Sequence, residues 1–111
     1  MKKRAFTLIE IMIVVLIIGV LLSIAVPNMI HARDTANAQG CISNLHQIDS
    51  AKEMAKVDYR FLDTFVPNSS VLVPEYIKIM PVCPSGGKYA INAISAYPTC
   101  TITSPIAHVI Q

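Results

Sequence analysis

The sequence predicts an α+β chain. One long, kinked helix covers about residues 6–59, and a small antiparallel β hairpin or sheet packs on its second half. Three observations predict this. Phe6–Leu22 is a near-continuous apolar run, and residues 11–30 contain no Asp, Glu, Lys, Arg or His. From Ala36 onward the apolar residues recur at helical spacing. After the breaker cluster Pro67-Asn68-Ser69-Ser70, short alternating and β-branched stretches replace that spacing.

The first element is membrane-grade. Twenty uncharged residues at 1.5 Å rise span roughly 30 Å, the thickness of a bilayer's hydrocarbon core. Lys2, Lys3 and Arg4 precede the run, as the cytoplasmic flank of a span does under the positive-inside rule. Those three residues also carry the charge balance. The net charge is +2, and without them six cations face seven acids, a net of −1. No basic patch remains, so nucleic-acid binding is not expected.

Two plain readings fit the span, a single-pass anchor and a secretory signal peptide cut after the small-residue stretch Ser23-Ile24-Ala25. Neither accounts for Glu10, a carboxylate at the start of an apolar run, where a charge is costly without a partner.

The second half of the helix is amphipathic. Cys41, Ile42, Leu45, Ile48, Ala51 and Ala55 recur at spacings of three and four. Asn44, Gln47, Asp49, Lys52, Glu53 and Lys56 occupy the other face. From Thr7 to about Tyr59 the helix is on the order of 80 Å long, too long for a compact domain of this mass. Its apolar half therefore needs a membrane or a bundle of copies. Pro27 lacks the N–H that would bond the Ser23 carbonyl, and Gly19 weakens an earlier turn. A kink is expected there.

The C-terminal part has few long apolar stretches. Val73-Pro74-Glu75-Tyr76-Ile77 predicts a short helical turn with Pro74 in its first position. Pro81, Pro84 and Gly86-Gly87 mark turns. Lys88–Ile94 alternates, with Tyr89, Ile91 and Ala93 on one side, and predicts a strand. Thr99–Thr103 is its expected partner.

Cys83 and Cys100 bracket this hairpin, and a disulfide between them would close a loop of about seventeen residues, worth roughly 3 kcal/mol in the chain-entropy model. Cys41 then reads as a small apolar residue on the helix. Its pairing with either partner is open as well.

The chain gives no sign of catalysis. His31, His46 and His108 are scattered, without metal-ligand spacing near the cysteines, so each is expected at the surface or in packing. No glycine-rich phosphate loop, paired carboxylates or nucleophile elbow is present in the sequence. No cofactor, metal or catalytic residue is expected.

The segment Arg4-Ala5-Phe6-Thr7-Leu8-Ile9-Glu10 resembles the cleavage and methylation site of type IV pilins, the pseudopilins of type II secretion and the competence pilins. The resemblance covers about the first thirty residues, and its motif is highly specific. It implies three regions. Residues 1–5 are a leader, residues 6–30 the transmembrane and assembly half of the helix, and residues 31–111 a small globular domain that includes the amphipathic half-helix.

A prepilin peptidase would cut between Ala5 and Phe6 on the cytoplasmic side and methylate the new amine of Phe6. Glu10 becomes the fifth residue of the processed chain, the position at which the family neutralises the amine of a neighbouring subunit and sets axial register. The equivalents of Gly19 and Pro27 bracket a stretch that can lose helicity in filaments.

Implied partners are further copies of the chain, minor pilins, an assembly ATPase and an inner-membrane platform protein. The implied location is the inner membrane, crossed once with the N-terminus cytoplasmic, and then an extracytoplasmic filament.

One departure is Ala5, where the family has Gly; it adds a methyl group beside the scissile bond. Some major pseudopilins bind calcium through C-terminal carboxylates, but here Glu75 is the only acid after Asp63, which does not support such a site. The competing expectation is a monomeric, membrane-anchored binding domain.

Overall fold

A computed structural model describes residues 2–110. In chain order it contains α1 (Leu8–Tyr59), α2 (Ser69–Leu72), β1 (Tyr89–Ala90) and β2 (Thr99–Cys100). The chain divides into two compact units, Met1–Arg33 and Asp34–Gln111, and α1 contributes residues to both.

In the first unit, the described residues form the start of α1 and the segment before it. Helical structure continues through Gly19 and Pro27. Every described side chain up to residue 33 is exposed, including all the large apolar ones. This is the one helix among the described residues long and apolar enough to cross a membrane, with a best window of mean hydropathy 3.0.

The second unit is built on the remainder of α1. Ala38, Cys41, Leu45, Ile48, Ala51 and Ala55 form its buried stripe, as the periodicity predicts, while Ile42 is half-buried. Two apolar clusters lie against the stripe. One joins Ile48, Ala51 and Ala55 to Leu72 and Ile77, with Phe61, Tyr76, Met80 and Ile91 packed around them. The other contains Cys41, Leu45, Cys83 and Cys100, with Tyr89, Ile102 and Ile110 around it.

Two polar residues assigned by spacing to the outer face of α1 turn inward instead. Lys52 is fully buried. Its ammonium donates to the carbonyls of Ile91, at 3.0 Å, and Ala96, at 2.5 Å. Asn44 is half-buried and donates to the Val82 carbonyl and the Tyr89 hydroxyl, both at 3.1 Å. The physical reason is shared. The segments laid on the helix are mostly irregular, so their carbonyls lack ladder partners, and long polar side chains from the helix satisfy them. Burial pushes the Lys52 pKa below its ordinary value, although nearby Asp49 and Glu53 act in the opposite sense.

The hairpin is shorter than the alternation implies. Tyr89 pairs with Cys100 and Ala90 with Thr99, in antiparallel register. The Thr101 N–H to the Lys88 carbonyl extends the contact by one step. Asn92 ends β1 by adopting φ +57°, a left-handed conformation that Asn tolerates. Its amide then donates to the Tyr97 carbonyl and the Thr99 hydroxyl, which fixes the connecting loop.

The short helix is also displaced from its expected place. It occupies Ser69–Leu72 rather than residues 73–77, and Val73 is extended at φ −112°, ψ 131°. The cause is Pro74, whose ring disfavours helical backbone at the residue before it.

Candidate functional site

The first candidate site is the start of α1. Thr7 immediately precedes the helix, and Glu10 lies in its first turn. The Glu10 N–H donates to the Thr7 hydroxyl at 3.3 Å, and the Thr7 N–H donates to Glu10 Oε2 at 3.4 Å. This is a capping box, in which two side chains reciprocally satisfy backbone N–H groups that a helix start leaves unpaired. Within one chain, Glu10 therefore has a partner, Thr7. The signal was present as Thr7-Leu8-Ile9-Glu10, the Thr-x-x-Glu pattern before an apolar run. Both bonds are long and exposed, so the carboxylate is accessible to a second partner.

Ala5, Phe6 and Glu10 lie close together in sequence and are exposed, and Met1, part of the expected leader, lies outside the described residues. Gly19 has open space around it, and a Cβ built there meets no atom within 4 Å. Its lack of a side chain is not required by packing within the described subunit. Pro27 lies inside α1.

The second candidate site lies wholly within the second unit. Cys41 comes from α1, Cys83 from the loop before the Gly86-Gly87 turn, Cys100 from β2 and His108 from the C-terminal segment. All four are buried, and one ligand atom from each falls within 4.8 Å of all the others. Cys83 Sγ and His108 Nδ1 are 3.5 Å apart.

His108, expected at the surface or in packing, is buried, and it lies beside the cysteines although no spacing in the sequence links them. It is only 2% exposed, and its backbone N–H is held by the Ile102 carbonyl at 3.1 Å. His46 is exposed on α1. No disulfide is drawn between Cys83 and Cys100, the pair expected to bridge, or to Cys41. The distances from Cys41 and Cys83 to His108 along the chain exceed any local motif, so only the tertiary fold reveals the group.

The surroundings of the cluster act differently on its thiols. Burial alone pushes the Cys83 thiol up. Backbone N–H groups of Ser85 and Gly87, with Cys41 and His108, outweigh that and bring it down to about 6. Burial pushes Cys41 up to about 12, reinforced by Cys100 and Cys83 and opposed by the Tyr89 hydroxyl. Tyr89 is itself raised, by burial and by its hydrogen bond with Cys41. Gly87 makes room for the sulfurs: a Cβ there would lie 2.6 Å from Cys100 Sγ and 3.3 Å from Cys83 Sγ.

The second unit buries its own apolar stripe, whereas the apolar start of α1 is left uncovered and is long enough to cross a membrane. A family model described as the prokaryotic N-terminal methylation motif matches residues 1–26. The chain is 34% identical over 104 residues to the type II secretion system core protein G of Escherichia coli K12, covering 81% of this chain and 72% of that protein. Core protein G of Klebsiella michiganensis gives 34% over 102 residues, 79% and 72%. The ComG operon protein 3 homolog of Bacillus licheniformis gives 32% over 87 residues, 78% of this chain and 87% of that protein. No solved structure matches.

The chain belongs to the pilin and pseudopilin family, alongside the type II secretion core proteins G. It is a structural subunit of a pilus-like or pseudopilus filament.

Proposed function

We propose that the chain is stored in the inner membrane with its N-terminus cytoplasmic and joins a type II secretion pseudopilus after processing. The observation that carries this is the first unit. A long apolar helix surface has none of its side chains buried, yet its start places a carboxylate in a polar arrangement. The relatives named core protein G support the choice of filament. A ComG-type filament is the second reading, supported by the larger share of the Bacillus relative's length that the chain spans.

The chemistry runs in a fixed order. Hydrolysis of the Ala5–Phe6 peptide bond leaves an ammonium on Phe6, and methylation retains its positive charge. In an apolar setting that cation and a carboxylate attract far more strongly than in water. Glu10 leaves its long capping bonds and pairs with the amine of a neighbouring subunit, which fixes the axial step. Lipid around residues 6–30 is exchanged for the same segment of other copies. Gly19 and Pro27 bracket the part of α1 that gives up helical bonds in this exchange. A prepilin peptidase, an assembly ATPase, an inner-membrane platform protein and minor pilins complete the set of partners.

The capping box sharpens the test. If Glu10 served only as a cap, Glu10→Gln would be tolerated, because a glutamine oxygen still accepts the Thr7 N–H, and Thr7→Ala would be the more harmful change. The proposed register contact predicts that Glu10→Gln inserts normally in the membrane but loses filaments, while Thr7→Ala retains them. Equal filament yields from the two variants would refute the contact. To separate the two filament readings, deletion of the chain should leave exported proteins in the periplasm; unchanged release into the medium favours the ComG-type reading.

A further inference from the structure

We propose that Cys41, Cys83, Cys100 and His108 bind one zinc ion and that this site staples the second unit together. The site does not depend on the filament assignment.

The donor set and its dimensions carry the inference. Zinc prefers four tetrahedral ligands from thiolate and imidazole, at about 2.3 Å to sulfur and about 2.0–2.1 Å to nitrogen. Such a tetrahedron sets its ligand atoms roughly 3.5–3.8 Å apart. Here the 3.5 Å between Cys83 Sγ and His108 Nδ1 already matches one edge, and every edge is within 4.8 Å. Three thiols and one imidazole supply four donors and leave no position for water, as in structural rather than catalytic zinc sites.

The surroundings suit thiolates. The Cys83 sulfur receives the N–H groups of Ser85 and Gly87 from its own turn. Asn44 donates to the Tyr89 hydroxyl, which in turn bonds to Cys41. These contacts orient the ligands and spread the negative charge of a three-thiolate site. Gly87 is needed for a steric reason, because any side chain there would collide with Cys100 Sγ. Charge and proton balance follow simply. Zn²⁺ displaces three thiol protons and leaves a complex of net charge −1 with neutral His108.

The location explains why a metal is useful. One of the two apolar clusters in this unit has cysteines for three of its four buried members. Its four ligands come from four separate segments, and the strands that join two of them are each two residues long. A unit this small gains from a staple. A Cys83–Cys100 disulfide would join only two of the segments and leave Cys41 and His108 without a role. A calcium site needs oxygen ligands, whereas this group offers sulfur and nitrogen.

The test uses the full-length chain, extracted in detergent from envelopes and purified without chelator. Zinc is counted per chain by mass spectrometry of the metal, and non-reducing peptide mapping reports any disulfide. The expected result is one zinc per chain with Cys41, Cys83 and Cys100 all alkylatable after metal removal. Cobalt substitution should give the intense visible bands of a tetrahedral thiolate site. His108→Cys should keep one metal per chain and shift those bands, whereas His108→Phe should lose the metal. A mapped Cys83–Cys100 disulfide with no bound zinc would overturn the proposal. So would a folded, reduced protein that takes up neither zinc nor cobalt.

Discussion

The two halves of α1 are drawn from one helix but solve opposite problems. In the first unit every described side chain is exposed. In the second, a stripe of three alanines with Cys41, Leu45 and Ile48 is buried. The difference lies in the sequence pattern. Residues 11–30 are apolar on all faces, which suits lipid or other copies of the helix. Beyond Ala36 only one face is apolar, which suits the chain's own small core. On the proposed function, one half is an association surface and the other a scaffold. A substitution should affect assembly or folding according to the half it falls in.

The largest expected effect is at Glu10. Glu10→Gln should abolish filaments while leaving the stability of the second unit unchanged, read by electron microscopy of sheared cells beside protease resistance of the membrane-bound chain. Next comes a matched pair of leucines. Leu45→Ala, at a fully buried position, should destabilise the second unit by about 2–5 kcal/mol. Leu16→Ala, at a position 66% exposed, should leave that stability alone and lower filament yield instead. Urea titration of the detergent-solubilised chain checks both. If the two variants lose the same stability, the division of labour along α1 is wrong.

Lys52 sharpens the scaffold side. Lys52→Met keeps the length and apolar stem but removes the donor to two carbonyls. The expected loss is about 1.5–3 kcal/mol, with hydrogen exchange speeding up first in the loop between β1 and β2. A smaller effect is expected at Gly19. Gly19→Ala meets no atom in the subunit and should favour the helix by about 1 kcal/mol. If filament entry requires this stretch to lose helical bonds, assembly slows; unaltered assembly kinetics would remove Gly19 from the mechanism.

The smallest effect is at Tyr76, whose hydroxyl donates to the Asp58 carboxylate at 2.7 Å. That bond favours the neutral phenol and raises Tyr76 from 10.0 to about 12. The stabilisation is therefore full below pH 10.0 and is lost as pH rises through about 12. Tyr76→Phe should be slightly less stable than wild type below that window and equal to it above, in paired thermal melts.

Much of this was legible in the sequence, for physical reasons that differ by element. The apolar run and the stripe were readable because helical periodicity and hydropathy are local properties of the chain. The Thr7–Glu10 cap is equally local, since Thr-x-x-Glu stands in the sequence directly before the apolar run. Lys52 and Asn44 were assigned to the wrong face because spacing reports where a side chain starts and not where a long one ends. The cysteine and histidine cluster was not readable. Its ligands are 42, 17 and 8 residues apart along the chain, and only the packing of three segments onto α1 brings them together. The short helix moved because one proline restricted the residue before it, an effect that motif placement alone had put on the wrong side of Pro74.

The most direct measurement is the mass of the N-terminal peptide of this chain recovered from sheared filaments. The expected peptide begins at Phe6 and carries one extra methyl group, in material that electron microscopy shows as filaments. A chain found only in membranes and still beginning at Met1 would contradict it, as would one beginning at Val26.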